Sequence, residues 1–326
     1  MKSVIERLIM CFLTFTLTVC IIYKLGIIVR PTRTDNALNA IDTFHNMPED
    51  TLEVIGYGSS HIWRGLNVME MYEKYGIGAY NYGCNYQRIN TTKLFFKDSL
   101  RTQSPKVVLI ETYLVNELLR DTNITGEIYY TRGIPEFEGK QEYLKQCFGN
   151  DKERYLSYYM PLCAFHHNWV NLEENSFVEN SDDTNFYATM GYLYTSEVTP
   201  ITISDPSTFV QEELIEAAIS ILDEIVDICN ENNIEIIFYT APWKGTYAYS
   251  DAMKAYAEEN GCIYFNLFEY LDYIGIDCKT DFCDDGHLND SGAVKVADFL
   301  GEYIVNNYDV TDFRTVEGNI WEQNLQ

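Results

Sequence analysis

Positive charge is scarce in this chain: 23 Lys and Arg stand against 49 Asp and Glu, a formal net charge of −26. Phosphate contacts need a basic face, so the composition argues against nucleic acid as a partner. It also disfavours a strongly anionic polymer as substrate, unless the cleft is locally basic or cations intervene. Metal-ligand spacing is missing as well. Of nine cysteines, Cys11 and Cys20 sit in an apolar N-terminal run; the rest are Cys84, Cys147, Cys163, Cys229, Cys262, Cys278 and Cys283. No Cys-x-x-Cys or Cys-x4-His pair suited to zinc stands out among them, and nothing calls for a cofactor. Seven is an odd number, so at least one thiol outside the run is left over in a monomer, and cysteine usage does not settle the compartment. Histidine is also rare, with only His45, His61, His166, His167 and His287, which makes the search for a catalytic base short.

What is present is a core. Hydrophobic residues make up 46% of the 326 positions, enough for one large α/β domain plus an anchor. The 26 tyrosines are either half-buried strand residues or aromatic faces for carbohydrate.

From Leu8 to Val29 the chain reads LIMCFLTFTLTVCIIYKLGIIV, with Lys24 as its only charge. A helix of that length spans about 33 Å, enough for a bilayer core of roughly 30 Å. Lys24 lies near the end, where its stem can snorkel to the interface. A cleaved signal peptide is the rival reading, but no small-x-small site directly follows the run, and Leu17, Thr18 and Val19 before Cys20 do not suit lipoprotein cleavage. The segment therefore reads as an uncleaved single-pass anchor. Lys2 and Arg7 before it, and Arg30 and Arg33 after it, barely discriminate orientation. An exported domain is the commoner arrangement, so an extracellular catalytic domain is expected.

After a polar stalk (31–50), strands alternate with helices. Strands are predicted at Leu52–Tyr57, Ala79–Tyr82, Lys106–Thr112, Ile234–Thr240 and Cys262–Leu267. Helices are predicted at Met69–Tyr75, Ile89–Thr102, Ser207–Asn230, Ser250–Asn260 and Ser291–Asn307. This order implies a doubly wound, parallel, five-stranded sheet over 51–310, with an insertion at about 117–206 and a tail at 311–326. The insertion is too long for a structureless loop and reads as small elements forming a lid or substrate wall. Ligands of such sheets bind beyond the carboxyl ends of the strands. The segments to inspect are therefore Gly58–Arg64, Gly83–Gln87, Glu111–Asn116, Ala241–Lys244 and the loop after the fifth strand.

The first strand ends in GYGSSHIW, and a serine at such a turn can present its hydroxyl above the sheet. It needs a base. His287, in DFCDDGHLNDSGA, follows Asp284 by three residues, so one turn can lay the carboxylate on Nδ1 while Nε2 faces Ser60. Asp42–Thr43–Phe44–His45 has the same spacing but precedes the first strand, so position rather than pattern separates the two. Ser60 also suits a simple helix N-cap. His61 reads as a helix-start or cleft-wall residue rather than a second base, and His166 and His167, beside Trp169, as surface or packing residues ahead of the alternative that they line a substrate groove. Trp243 and Lys244 are possible substrate contacts at the active edge, or packing in the case of Trp243. Asp285 is read as solvated, and Asn289 as a brace for the loop before the last helix.

On these residues the chain resembles the SGNH (GDSL-like) hydrolase superfamily, in the membrane-anchored branch near bacterial envelope polysaccharide O-acetylation and teichoic-acid D-alanylation proteins. Gly58-Ser59-Ser60 corresponds to its first block, with Ser60 the nucleophile. Asn81-Tyr82-Gly83-Cys84 corresponds to the second, and Asp284 to His287 to the last. The resemblance implies an oxyanion hole from the N–H groups of Ser60 and Gly83. The third block, Gly-x-Asn-Asp, is missing after the third strand. Asn116 or a side chain near Glu111 replaces its donor, or the hole has two backbone donors only. One such donor is typically worth about 3–4 kcal/mol in the transition state. The resemblance further implies an acylated cell-envelope glycan or small acyl ester as substrate, and a multispanning membrane acyltransferase as a partner. The alternative is a catalytically weak or inactive accessory protein that binds a glycan or that partner.

Overall fold

The computed structural model describes residues 2–30, 36–119, 127–177 and 186–322. Five strands form one parallel sheet: β1 (Val54–Tyr57), β2 (Ala79–Asn81), β3 (Val107–Glu111), β4 (Glu235–Thr240) and β5 (Ile263–Asn266), in the order β2-β1-β3-β4-β5. The helices before β3 are α1 (Lys2–Val29), α2 (Asn36–His45), α3 (Ser60–Gly65), α4 (Val68–Tyr75) and α5 (Ile89–Ser99). Between β3 and β4 come α6 (Glu127–Tyr130), α7 (Glu138–Phe148), α8 (Lys152–Tyr159), α9 (Pro161–Phe165), α10 (Phe186–Thr189) and α11 (Glu216–Asn232). The last are α12 (Ser250–Glu259), α13 (Leu271–Ile274) and α14 (Asp290–Asn307).

β1 and β3 are buried along their whole length, which is why they read as unbroken apolar runs rather than alternations. Both faces of a parallel sheet are covered by helices. Here α5 packs with α11 on one face, and α14 packs with α3 and α4 on the other, as right-handed crossovers require. The strand order reverses between β1 and β3, so the crevice beyond their carboxyl ends is where this topology places a ligand.

The helix expected from Ser207 begins only at Glu216. Asp205 caps a short 3-10 turn at Pro206–Thr208, and Phe209 is buried with Tyr247 and Phe268 in a small separate cluster. Ile215 then starts α11 with a cap borrowed from elsewhere: its N–H donates to Asn116 Oδ1 at 2.7 Å.

The segment read as a stalk packs on the domain where it is described; its residues 31–35 lie outside the described residues. In α2, Ile41 and Phe44 are fully buried, Phe44 stacks on Tyr82 with ring centroids 4.0 Å apart, and Tyr80 donates to the Ala40 carbonyl at 2.7 Å. His45 bonds Asp98 at 2.7 Å, not Asp42, so its Asp-x-x-His spacing marks a helix face. The tail likewise folds back. Trp321 is almost wholly buried, packing on Phe313 and Tyr72 below the start of β2, where its indole N–H donates to the Ala79 carbonyl. Gly78 leaves the room, because a Cβ there would sit 2.6 Å from the Trp321 ring.

Between β3 and α11 the described residues carry the short helices α6 to α10; 120–126 and 178–185 lie outside the described residues. None of the nine cysteines is in a disulfide. Over Ser3–Val29, α1 is long and apolar enough to cross a membrane, with a mean hydropathy of 2.1. The Thr16 and Thr18 hydroxyls donate to the carbonyls of Phe12 and Thr14, so both are satisfied within the helix.

Candidate active site

β1 ends at Tyr57, and two residues later the chain turns into α3. Gly58, at φ +155°, passes so close to β3 that a Cβ would lie 2.7 Å from Glu111 Cβ. The two serines that follow have different surroundings. Ser59 is buried as the α3 N-cap: its Oγ donates to Glu111 Oε2 at 3.2 Å and accepts from the His61 N–H at 3.3 Å. Ser60, the first residue of α3, has its Oγ 2.7 Å from His287 Nε2. Its N–H belongs to the helix's first turn, which has no intrahelical acceptor.

His287 lies on the loop between α13 and α14. The Asp284 carboxylate folds that loop around itself: Oδ1 accepts from the Gly286 N–H at 2.7 Å, the His287 N–H at 2.8 Å and His287 Nδ1 at 2.9 Å. Burial raises the Asp284 pKa, but these bonds and the imidazole outweigh it, leaving the group below the usual carboxylate range. His287 moves the other way from what pairing alone would give. Burial, then the neighbouring His61, push it down to about 4 against the upward pull of Asp284. It is therefore a neutral imidazole at neutral pH, oriented by a carboxylate and facing a hydroxyl. That is the arrangement in which a histidine can take a proton from a serine.

The loop is braced from outside. Asn289 caps α14 and donates to the carbonyls of Glu197 and Thr280 at 3.0 and 2.7 Å. Buried Asp281 takes Lys295, Ser291 and the Asp277 N–H. The insertion's return segment, without regular secondary structure, straps the same loop. Thr199 N–H bonds the Phe282 carbonyl and its hydroxyl the Cys283 carbonyl, both at 2.8 Å, while Ile201 N–H bonds the Cys278 carbonyl. Lys244 ties the loop to the end of β4 by pairing with Asp285 at 3.0 Å, while the Asp285 side chain stays exposed to solvent as read.

The serine, the histidine and the aspartate line a cavity of about 460 Å³ together with His61, Trp63, Arg64, Asn85, Tyr86, Tyr113, Trp243 and Gly286. A larger groove of about 580 Å³ between α11 and α12 presents Glu213, Asp223, Asp227 and Glu259, but no nucleophile with a base. Trp243 serves both roles considered for it, packing on Phe268 and Tyr113 while lining the cavity. His61 is a buried wall between the rings of Tyr113 and Trp243, with Nδ1 3.5 Å from Glu111 Oε1. His166 and His167 lie in a 3-10 turn of the insertion, outside this lining.

Three sequence candidates do not reach the cavity. Asn116 is occupied with the Ile215 N–H and the Glu213 carbonyl. Glu111 accepts from Ser59 and from the Tyr113 N–H at 2.9 Å, beneath the site. Lys244 is committed to Asp285. The residue after β3 that does line the cavity is Tyr113, whose phenol pKa burial raises above its ordinary value. Trp63, Arg64, Asn85, Tyr86 and Tyr113 were not singled out by motif, yet all lie in the strand-end segments that the topology selects.

Gly83 follows β2 with no room for a side chain: a Cβ would lie 2.5 Å from the Gly58 carbonyl oxygen and 2.6 Å from Ile62 Cγ2. Gly83→Ala is expected to destabilise the fold by about 1–3 kcal/mol, since the first obstacle is rigid backbone. Thermal unfolding measures it, and an unchanged melting temperature would show that the two turns can move apart freely.

No family model matches the sequence, and no curated protein does. Among solved structures the chain is similar to a candidate acylhydrolase from Bacteroides fragilis NCTC 9343. The identity is 12% and the TM-score 0.39, over 81% of this chain and 92% of that one. At that distance the likeness adds nothing to the site geometry.

Proposed function

We propose that the chain is a serine esterase or O-acyltransferase of the SGNH type, tethered to a membrane by α1. Ser60 is the nucleophile, His287 the base and Asp284 the residue that orients it. The observation that carries the reading is the unbroken line from Ser60 Oγ through His287 to Asp284, at 2.7 and 2.9 Å, beyond the carboxyl ends of β1 and β5. His287 takes the hydroxyl proton as Ser60 Oγ bonds to the acyl carbon, and the carbonyl becomes an oxyanion. His287 then gives that proton to the departing alcohol oxygen as the ester C–O bond breaks, leaving an acyl-Ser60. Water as second acceptor releases the acid; a sugar hydroxyl makes the enzyme a transferase. The N–H groups of Ser60 and Gly83 are the oxyanion donors of this reading. The aromatic lining of Trp63, Tyr86, Tyr113 and Trp243 suits a glycan ester as substrate, in keeping with an anchored domain facing the cell envelope.

A fluorophosphonate probe is expected to label the full chain in detergent and to fail on Ser60→Ala. Labelling that persists in the variant would remove Ser60 from the mechanism. The second reading, a non-catalytic partner of a membrane acyltransferase, is favoured by one observation: Asn116 is committed elsewhere, so among the described residues no asparagine after β3 lines the cavity as a third oxyanion donor. No labelling of the wild type, with intact function of a Ser60→Ala, His287→Ala chain in cells, would favour it.

The pH profile follows from His287. A base depressed to about 4 is neutral and competent throughout the neutral range, and is lost as pH falls through its own value. The acid limb of kcat/KM is therefore expected near pH 4. His61→Gln should move it upward, because His61 is the second cause of the depression. A limb near the ordinary histidine value in the wild type would show that burial does not govern His287.

A further inference from the structure

Beside the last turn of α1 lies a second apolar surface that the proposed chemistry does not use. From Ser3 to Leu25 the side chains of α1 are exposed, apart from half-buried Ile22, and Gly26 is the first buried residue. There the helix packs on α9 so closely that a Cβ on Gly26 would lie 3.2 Å from the Leu162 nitrogen. One turn on, Asn168 Nδ2 donates to the Val29 carbonyl at 3.0 Å, capping the end of α1 from the 3-10 turn His166–Asn171. A second 3-10 turn, Glu174–Phe177, also touches α1. These two turns carry Trp169, Val170 and Phe177 at 68%, 62% and 64% exposure, with Leu172 exposed between them.

We propose that residues 166–177 lie in the interfacial zone of the same bilayer that α1 crosses, so that the chain holds the membrane at two places. This rests on the reading of α1 as a membrane span. A helix crossing the bilayer leaves its hydrocarbon where its surroundings turn from lipid to protein, which on α1 is between Leu25 and Gly26. The flanking charges Lys24 and Arg30 mark the same level. The turns bonded to that last turn cannot stand far from the membrane surface. Tryptophan favours the headgroup level, where its ring is buried and its N–H stays wet. Exposed Trp, Val, Leu and Phe on short turns are costly in water and favourable there. Glu173 and Glu174 are exposed on the same segment, so the surface suits zwitterionic rather than anionic headgroups.

Intrinsic fluorescence tests this, because Trp63 and Trp321 are buried and Trp243 packs in the cavity wall. The full chain is assembled into phosphatidylcholine nanodiscs, with and without brominated acyl chains. Brominated lipid is expected to quench its emission, and Trp169→Phe should abolish most of that quenching while aqueous iodide quenches the wild type only weakly. A chain that fails to co-elute with the nanodiscs overturns the α1 reading and this proposal with it. A chain that co-elutes, but whose lipid quenching is the same in Trp169→Phe or whose Trp169 is freely quenched by iodide, overturns this proposal alone.

Discussion

Ser60→Ala is expected to lower ester turnover by roughly 10⁴-fold or more, because among the described residues no other hydroxyl bonds His287 Nε2. Ser59 is adjacent but cannot substitute: it is buried and engaged with Glu111 and the His61 N–H on the far side of the turn. The informative comparison is with His287→Ala and the double variant. Residues that work as one unit are not additive, so the double variant should lose little more than either single one. Both variants should keep stability within about 1 kcal/mol of the wild type, since Ser60 and His287 are half-buried residues lining the cavity and not core residues. A multiplicative loss, or a Ser60→Ala chain that turns over at the wild-type rate, would break the assignment. Turnover of a chromogenic acetyl ester by full-length protein in detergent is the measurement.

The second large effect concerns stability. Trp321→Ala is expected to cost about 3–5 kcal/mol, the usual range for emptying a buried aromatic site. The indole is packed between Phe313 and Tyr72, hydrogen-bonded to Ala79 and closed against Gly78. Gly78 has no side chain to fill the space left behind. All of this lies at the amino ends of the strands, while Ser60 and His287 lie beyond the carboxyl ends. The variant should therefore unfold at markedly lower temperature, by roughly 5–15 °C for a domain of this size, yet keep kcat and KM at low temperature. Calorimetry and kinetics on one preparation separate the two. If Trp321→Ala left the melting temperature unchanged, the C-terminal segment would be an appendage after all.

How much could be read beforehand depended on whether a feature is local. β1, β3 and β4 announce themselves because strands buried on both faces are continuous apolar runs of strand length. α1 does so because it is an apolar run long enough to cross a bilayer, with Lys24 the only charge from Leu8 to Val29. α3 is expected only as a helix start at Ser60 or His61, without an extent, because Ser60–Gly65 is too short to show a helical period. Its N-cap, Ser59, was legible only as one of two adjacent serines. The return segment through Thr199 and Ile201 has no period either, since its bonds go to the Phe282 and Cys278 carbonyls far along the chain. The same holds for Asn116, whose partner Ile215 lies at the start of α11, and for Lys244, whose partner is Asp285. Each of these side chains could serve a ligand until the fold shows it bonded to protein.

The chain's sequence by itself determined the parallel α/β order, the apolar N-terminal span and the short list from which a serine, a histidine and an aspartate could be drawn. It did so because burial period, turn chemistry and the rarity of histidine are properties of consecutive residues. Only the tertiary structure decided that Asn116, Glu111 and Lys244 are bonded to protein, that Tyr113 lines the cavity, and that α2 and the segment ending at Trp321 pack against the sheet domain. These are contacts between distant segments, set by how loops close around a shared core, and no local pattern encodes them.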